Sequence, residues 1–324
     1  DWNSFSMSTD LEPTIHPREF LQKQAPPPAP RAPAEGVFSQ LADLSRLARN
    51  LPVYRKLQCI GRGSFGKAYL VEVVRSGKKK ADTASYRVLK KLPLLEVSEA
   101  QREGAFREAQ LMRKISRNCP FITQFHEVLL CRGGTVLCLI MEYCSGGDLR
   151  GEICRQRDEA EGQKFAEDRL LRWASQIALA LRHCHSRGIL HRDVKPENCF
   201  FRCPGGALLL GDFGISCDLD EHHLAKTCCG SPLYLSPEIV NQEPYDYASD
   251  AWSFGVTLYE IAMLAPPFKG LNICQVAFRI VGSEPPPLEP VFSSALAALI
   301  SRLLVKEASK RATLDEALRS APLA

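Results

Sequence analysis

Apolar and polar positions along the chain change period twice. Residues 54–60 (YRKLQCI), 68–74 (AYLVEVV) and 86–90 (YRVLK) are short runs rich in β-branched and aromatic side chains, bounded by glycines or charged loops, and predict strands. Two more apolar runs predict strands near 124–130 and 135–141. A helical pattern interrupts them at 99–117, with Phe106, Ala109, Leu111, Met112 and Ile115 as its apolar positions. After Gly146-Gly147 the helical period takes over. Residues 167–187 carry Leu170, Leu171, Trp173, Ala174, Ile177, Leu181 and Cys184 on one face and stop before Gly188. Further helices are predicted at 247–264, 272–281, 292–305 and 314–319. The expected fold class is therefore α+β: a small antiparallel sheet lobe with one helix, then a larger, mainly helical lobe, without internal repeats.

The first 53 residues differ from the rest. Residues 25–34 (APPPAPRAPA) favour extended polyproline II and cannot build a core. Phe38, Leu41, Leu44, Ala48 and Leu51 then recur at three- and four-residue steps, which suits a short helix over 37–51. Such a helix would dock on the following domain or on a partner; the plainer reading is a flexible tail with transient helicity.

Composition narrows the class of protein. At 324 residues, with 45% apolar and 24% charged side chains, the chain reads as globular rather than disordered or fibrous. A formal net charge of +4 gives no argument for nucleic acid or a membrane surface as partner. No apolar run approaches the length of a membrane span, and no leader pattern is visible at the start. The 13 cysteines show no repeated zinc-type pair, so they are expected as reduced thiols in a cytoplasmic protein. Adjacent Cys228 and Cys229 read as loop thiols, and Cys199 and Cys203 as core or turn thiols.

Two constellations carry chemistry. Gly61-Arg62-Gly63-Ser64-Phe65-Gly66 matches G-x-G-x-x-G, for which chance predicts about 0.09 matches in such a chain. A dinucleotide site would need a helix after Gly66 and an acidic residue about 20 positions on. Here a β-like run follows, with lysines where the acid would stand, so a strand-turn-strand flap over nucleotide phosphates fits better. The second constellation is His191-Arg192-Asp193-Val194-Lys195-Pro196-Glu197-Asn198, expected by chance in about one such chain in 10⁴. Asp212-Phe213-Gly214 and Ser236-Pro237-Glu238 follow in order.

With these motifs the chain resembles the eukaryotic protein kinases over residues 54–322. GSFGKA at 63–68, VLKK at 88–91, MEYCSGGDL at 141–149, GDFGIS at 211–216 and LAKTCCGSPLYLSPEI at 224–239 are similar to the NIMA-related Ser/Thr kinases. The resemblance implies a bilobal fold with an N-lobe at 54–141, a hinge at 142–147 and a C-lobe at 148–322. It implies ATP and Mg²⁺ as cofactors (Mn²⁺ can substitute) and protein substrates as partners. Asp193 would be the catalytic base, Lys195 would neutralise the transferring phosphoryl group, and Asn198 and Asp212 would supply hard oxygen ligands to the metal. Lys90 would hold the α- and β-phosphates, paired with Glu108, which is preferred over Glu103. Gly61, Gly63, Ser64, Phe65 and Gly66 would form the phosphate flap. Ala68 and Val88 would cover the adenine, with Phe200 beneath, Met141 as gatekeeper, Glu142 and Cys144 bonding its edge and Asp148 reaching the ribose. Ala68 stands where valine is commoner, which would loosen the adenine packing.

The same resemblance implies regulation and scaffolding. Arg192 would pair with an anionic group on the activation loop, with Thr227 the expected phosphosite, Ser216 a weaker one and Ser231 structural. Asp250 would bond the backbone around His191-Arg192, and Arg311 would pair with Glu238. Ile215 is associated with threonine acceptors, and Glu197 and Asp148 would favour basic residues before the acceptor. Cell-cycle, centrosomal or ciliary settings are a tendency of the family. The alternative is a pseudokinase scaffold, against which stands the presence of Lys90, Asp193, Asn198 and Asp212.

Overall fold

A computed structural model describes residues 53–63, 66–74, 85–94, 98–131, 135–160, 163–213 and 232–323. The expected helix at 37–51 lies outside the described residues, as do Ser64, Phe65, the basic loop at 75–80, Ile215, Ser216, Thr227, Cys228, Cys229 and Ser231. Contacts divide the chain into two compact units. One comprises the described residues up to Ser98 together with His126–Tyr143; the other comprises Glu99–Phe125 and the described residues from Cys144 onward.

The first unit is built on a five-stranded sheet of order β1-β2-β3-β5-β4. Its strands are β1 (Val53–Gly63), β2 (Gly66–Val74), β3 (Tyr86–Pro93), β4 (Phe125–Cys131) and β5 (Val136–Glu142). Antiparallel registers place Ala68 opposite Lys90, Leu70 opposite Val88, and Val88 opposite Met141. Because successive strand residues point to opposite faces, these registers sort the side chains into two sets. Val71, Leu89, Cys138 and Ile140 form a buried apolar cluster on one face, with Tyr54, Tyr69 and Leu129 packed against it. Ala68, Leu70, Val88, Lys90, Leu139 and Met141 fall on the other.

The second unit is mainly helical. Among the described residues its helices are α1 (Glu99–Ser116), α2 (Leu149–Glu159), α3 (Glu167–His185), α4 (Pro237–Val240), α5 (Tyr247–Met263), α6 (Ile273–Gly282), α7 (Ser294–Leu303) and α8 (Leu314–Leu318). Helix α5 is apolar over most of its surface and buried from Ser249 to Ala262 except at half-buried Ser253, as expected for a helix at the centre of a core. Asp246 caps its first turn by accepting from the Ala248 amide at 2.8 Å. Helix α3 buries Leu170, Trp173, Ala174, Ile177, Leu181 and Cys184, the stripe its period predicted, except that Leu171 is only half-buried. A short hairpin, β6 (Cys199–Phe201) with β7 (Leu208–Leu210), completes the frame.

The structure departs from the sequence pattern in three places. Helix α2 was not foreseen: it is strongly polar and buries only Leu149, Glu152 and Ile153, so it shows little apolar period. Leu111 is 42% exposed, whereas Ala105, Ala109, Met112 and Ile115 are buried, so the inward face of α1 is narrower than expected. Residues 99–125 group with the helical unit rather than with the sheet. Their physical ties lie there: the Ile115 carbonyl meets His183 Nε2 at 3.2 Å, and Thr123 and Leu210 are joined by a backbone bond of 2.9 Å.

Candidate active site

The helical unit carries an irregular loop after α3, and its geometry begins with Asp250. That carboxylate, in the first turn of α5, accepts the His191 amide on Oδ2 (2.8 Å) and the Arg192 amide on Oδ1 (2.9 Å), while His185 Nε2 meets Oδ2 at 2.8 Å. Burial alone would raise the Asp250 carboxyl, but the bond to His185, with the His191 contacts, holds it below its ordinary value. Arg192 adopts a left-handed φ of 68°, unfavourable for a residue with a Cβ. Anchoring of two successive amides on one buried carboxylate offsets that cost.

His191 is fully buried, and its two ring nitrogens have different partners. Nε2 lies 3.0 Å from the Gly211 carbonyl and so carries the proton, while Nδ1 accepts from the Asp193 amide at 3.3 Å. Burial pushes its pKa below the ordinary value, consistent with a neutral ring. Phe213 packs on that ring at 4.5 Å between centroids.

Asp193 is the centre of the loop. Lys195 Nζ and Asn198 Nδ2 both reach its Oδ2, at 2.7 and 2.8 Å, and Asn198 Nδ2 also donates to the Asp193 carbonyl at 2.7 Å. Among the described residues neither side chain uses Oδ1, which leaves that oxygen as the acceptor for a hydroxyl donor. The Asn198 side chain is buried, and because its Nδ2 is committed to Asp193, its Oδ1 is the atom left to serve as an acceptor. The β6–β7 register pairs Cys199 with Leu210, and the Gly211 amide donates to the Asn198 carbonyl at 2.9 Å. Asn198 and Asp212 thereby flank the same end of one hairpin. Gly211 cannot be larger: a Cβ there would run into Thr123 Oγ1 and stand 3.1 Å from the Phe200 ring. Asp212 is left-handed, with φ 54°.

Asp148 caps α2, accepting the Gly151 amide on Oδ1 at 2.8 Å, and its backbone bridges to Phe200. Burial raises its carboxyl above the ordinary range, and the charge of Glu197 adds to that. Cys144, half-buried, precedes Ser145 and Gly146, whose amides bond the Arg202 and Phe201 carbonyls. Asp193, Lys195, Asn198, Asp212, Asp148, Phe200 and Cys144 are thus all borne by the second unit.

The sheet unit carries Gly61, Gly63, Gly66, Ala68, Val88, Lys90, Met141 and Glu142. Lys90, Ala68, Val88 and Met141 share the face opposite the buried cluster, and Gly61 faces Ala68. Glu142 ends β5 opposite Arg87. Gly63 pairs with Gly66 where β1 turns into β2, and Gly66 has φ 152° with the space for a Cβ filled by the Lys91 carbonyl. Glu108 lies within α1, but its side chain is outside the described residues.

A hard divalent cation fits this donor set. Among the described residues no cluster of three or more His, Cys, Asp or Glu side chains could hold a metal alone. Asn198 and Asp212 instead offer an amide oxygen and a carboxylate, the partial set typical of Mg²⁺ sites whose coordination is completed by substrate phosphates and water.

Comparison with known proteins decides the class: the protein kinase domain family matches residues 54–321. The chain belongs to the protein kinase family. Membership implies ATP and divalent-metal use generally. Serine/threonine-protein kinase Nek5 of Homo sapiens is 39% identical over 267 residues, covering 82% of this chain and 36% of that protein. Serine/threonine-protein kinase Nek1 of Mus musculus is 38% identical over 266 residues, covering 82% of this chain and 21% of its own. Nek4 of Mus musculus is 35% identical over 268 residues, with 82% and 32% covered. The chain spans between about a fifth and about a third of the length of these curated relatives. In this kinase domain no helix among the described residues is long and apolar enough to cross a membrane.

Two structural pairings implied by the resemblance are present: Asp250 with the His191-Arg192 backbone, and Arg311 with Glu238. Arg311 Nη1 and Nη2 reach the two Glu238 oxygens at 2.8 and 2.9 Å, both side chains being buried. The sequence reading missed Arg150, Tyr234 and Glu260, which meet Glu197 in one polar cluster. Arg150 and Glu260 are 110 residues apart and no local motif links them.

Proposed function

We propose that this chain is a serine/threonine protein kinase transferring the γ-phosphoryl group of Mg-ATP to a Ser or Thr hydroxyl of a protein. The observation that carries this reading is the arrangement at Asp193: a partly exposed carboxylate fixed through one oxygen by Lys195 and Asn198, with the other available to a substrate. In the transfer, the substrate oxygen forms a bond to the γ-phosphorus, the bond from phosphorus to the ADP oxygen breaks, and the hydroxyl proton passes to Asp193. Lys195, bonded to Asp193 Oδ2, brings an ammonium to the charge of the transferring group. Asn198 and Asp212 would hold the metal, which when bound neutralises triphosphate charge. Lys90 would bind the α- and β-phosphates with Glu108 as its partner, and Ala68, Val88 and Met141 would supply an apolar face for the adenine. Pairing of phosphorylated Thr227 with Arg192 is the proposed activation step.

The test is phosphate transfer from ATP to a generic protein substrate, native chain beside Asp193→Asn. A positioned base contributes about 10²–10⁴-fold, so the variant should fall by at least about a hundredfold. Equal rates would sink the proposal. Thr227→Ala should lower the rate severalfold, and unchanged turnover would remove the activation step alone.

A further inference from the structure

Arg150, two residues into the segment that follows the Asp148 cap, reaches carboxylates and a phenol from three distant parts of the chain. Its Nε donates to Glu197 Oε1 at 2.9 Å. Nη1 donates to Glu260 Oε1, and Nη2 donates to the Tyr234 hydroxyl, with Glu260 Oε2 a further 3.4 Å contact. The Tyr234 hydroxyl in turn donates to Glu260 Oε2. The cluster runs from the surface into the core: the side chains of Glu197 and Arg150 are 35% and 26% exposed, and that of Glu260, on α5, is 1% exposed.

Its position gives the cluster a meaning. Glu197 sits in the turn Pro196–Asn198, between Lys195 and Asn198, the two residues that bond Asp193. Tyr234 sits in the turn Pro232–Tyr234, just before Ser236-Pro237-Glu238. Two carboxylates that converge on one point, one of them in the turn that carries Lys195 and Asn198, hold a cationic side chain, and a guanidinium is held there by charge-assisted bonds. In this chain the guanidinium is already present. Burial opposes the charge of Arg150, yet the Glu260 and Glu197 carboxylates outweigh it and hold the group firmly protonated. Burial and the Glu260 charge likewise push the Tyr234 phenol well above its ordinary value. Asp148, the other acid from which basic selectivity was expected, is occupied on Oδ1 by its own helix.

We infer that Arg150 is an internal substitute for a basic substrate side chain, filling the Glu197–Glu260 acidic pocket so that the native enzyme does not select arginine or lysine beside its phosphoacceptor. This rests on the kinase reading above and replaces the expectation that Glu197 and Asp148 select basic residues. Arg150 is a specificity-determining residue here, without a part in the transfer itself.

The experiment is a peptide library with arginine scanned through the positions flanking a Ser or Thr acceptor, applied to the native chain, Arg150→Ala, Arg150→Gln and Arg150→Ala/Glu260→Gln. The readout is the kcat/KM ratio of each arginine peptide to its alanine counterpart within one protein, which does not depend on the folded fraction. For the native chain the ratio should stay within about twofold of unity throughout, since the pocket is filled. In Arg150→Ala it should rise about tenfold at one position, the size expected for a new charged hydrogen-bonded pair. The double variant should return it toward unity. Arg150→Gln, which keeps an amide donor for Glu260, should move the ratio in the same direction if the alanine protein does not fold. A native preference for arginine above about threefold at any position, or flat ratios in both single variants with turnover intact, would overturn the inference. Absence of transfer by the native chain to every peptide, matching Asp193→Asn, would sink the kinase reading and this inference with it.

Discussion

In the sheet, Lys90 is placed by alternation: once β2, β3 and β5 are in register, Ala68, Val88, Lys90 and Met141 must share a face because Val71, Leu89, Cys138 and Ile140 are buried on the other. In the loop at 189–198, Asp193 is placed by a buried polar scaffold: Asp250 holds two amides, His191 spans from Gly211 to the Asp193 amide, and Asn198 fixes the carboxylate. The difference lies in the backbone. A regular strand satisfies its N–H and C=O groups through its neighbours in the sheet, whereas a loop with a residue at φ 68° does not, and each buried group needs a dedicated partner.

That contrast is broken most severely at Asp250. Asp250→Ala leaves two buried amides and His185 without their acceptor and should cost about 3–5 kcal/mol, read by urea denaturation. A loss under about 1 kcal/mol would mean the loop holds its shape without that carboxylate. Next come the glycines at the two close approaches. Gly211→Ala forces a methyl against Thr123 and Phe200 inside the hairpin frame and should cost about 1–3 kcal/mol. Gly66→Ala drives a Cβ into the Lys91 backbone carbonyl at a φ of 152°, so its loss of thermal stability should be at least as large; a smaller loss there would reverse the comparison.

A pH series sharpens the same point away from the loop. Burial would raise the Glu238 carboxyl, but Arg311 and Ser249 hold it at about 2, below its ordinary 4.5. The folded state thus favours the carboxylate, so this contribution is fully present above pH 4.5 and is lost as pH falls toward 2. Melting temperature should decline through that window in the native chain and less steeply in Glu238→Gln, which starts lower. Parallel curves would show that the pair does not govern acid stability. The smallest effect is expected on the sheet: Ala68→Val should lower the KM for ATP about threefold by adding apolar contact, with melting temperature unchanged. An unchanged KM would remove Ala68 from the adenine face.

Much of the site was legible because its residues are close in sequence. Asp193, Lys195 and Asn198 lie within six positions of one another, and the structure joins them through one oxygen. The sheet was legible from apolar runs bounded by glycine and charge. Helix α2 was not, since a polar helix with three inward residues has almost no period to detect. The Arg150 cluster was hidden for a different reason: Glu197 read as an acid selecting basic substrate residues because its partner Arg150 lies far away in sequence, as do Tyr234 and Glu260, which complete the cluster.

By itself, then, the sequence determined the fold class, the order of the elements and the identity of the chemical groups, because periodicity and short motifs are local properties of a chain. Only the tertiary structure decided which carboxylates stand open and which are already bonded. Whether Asp148, Glu197 or Asp250 can meet a substrate depends on which cations and amides the packed core brings within 3 Å, and distance along the chain carries no record of that.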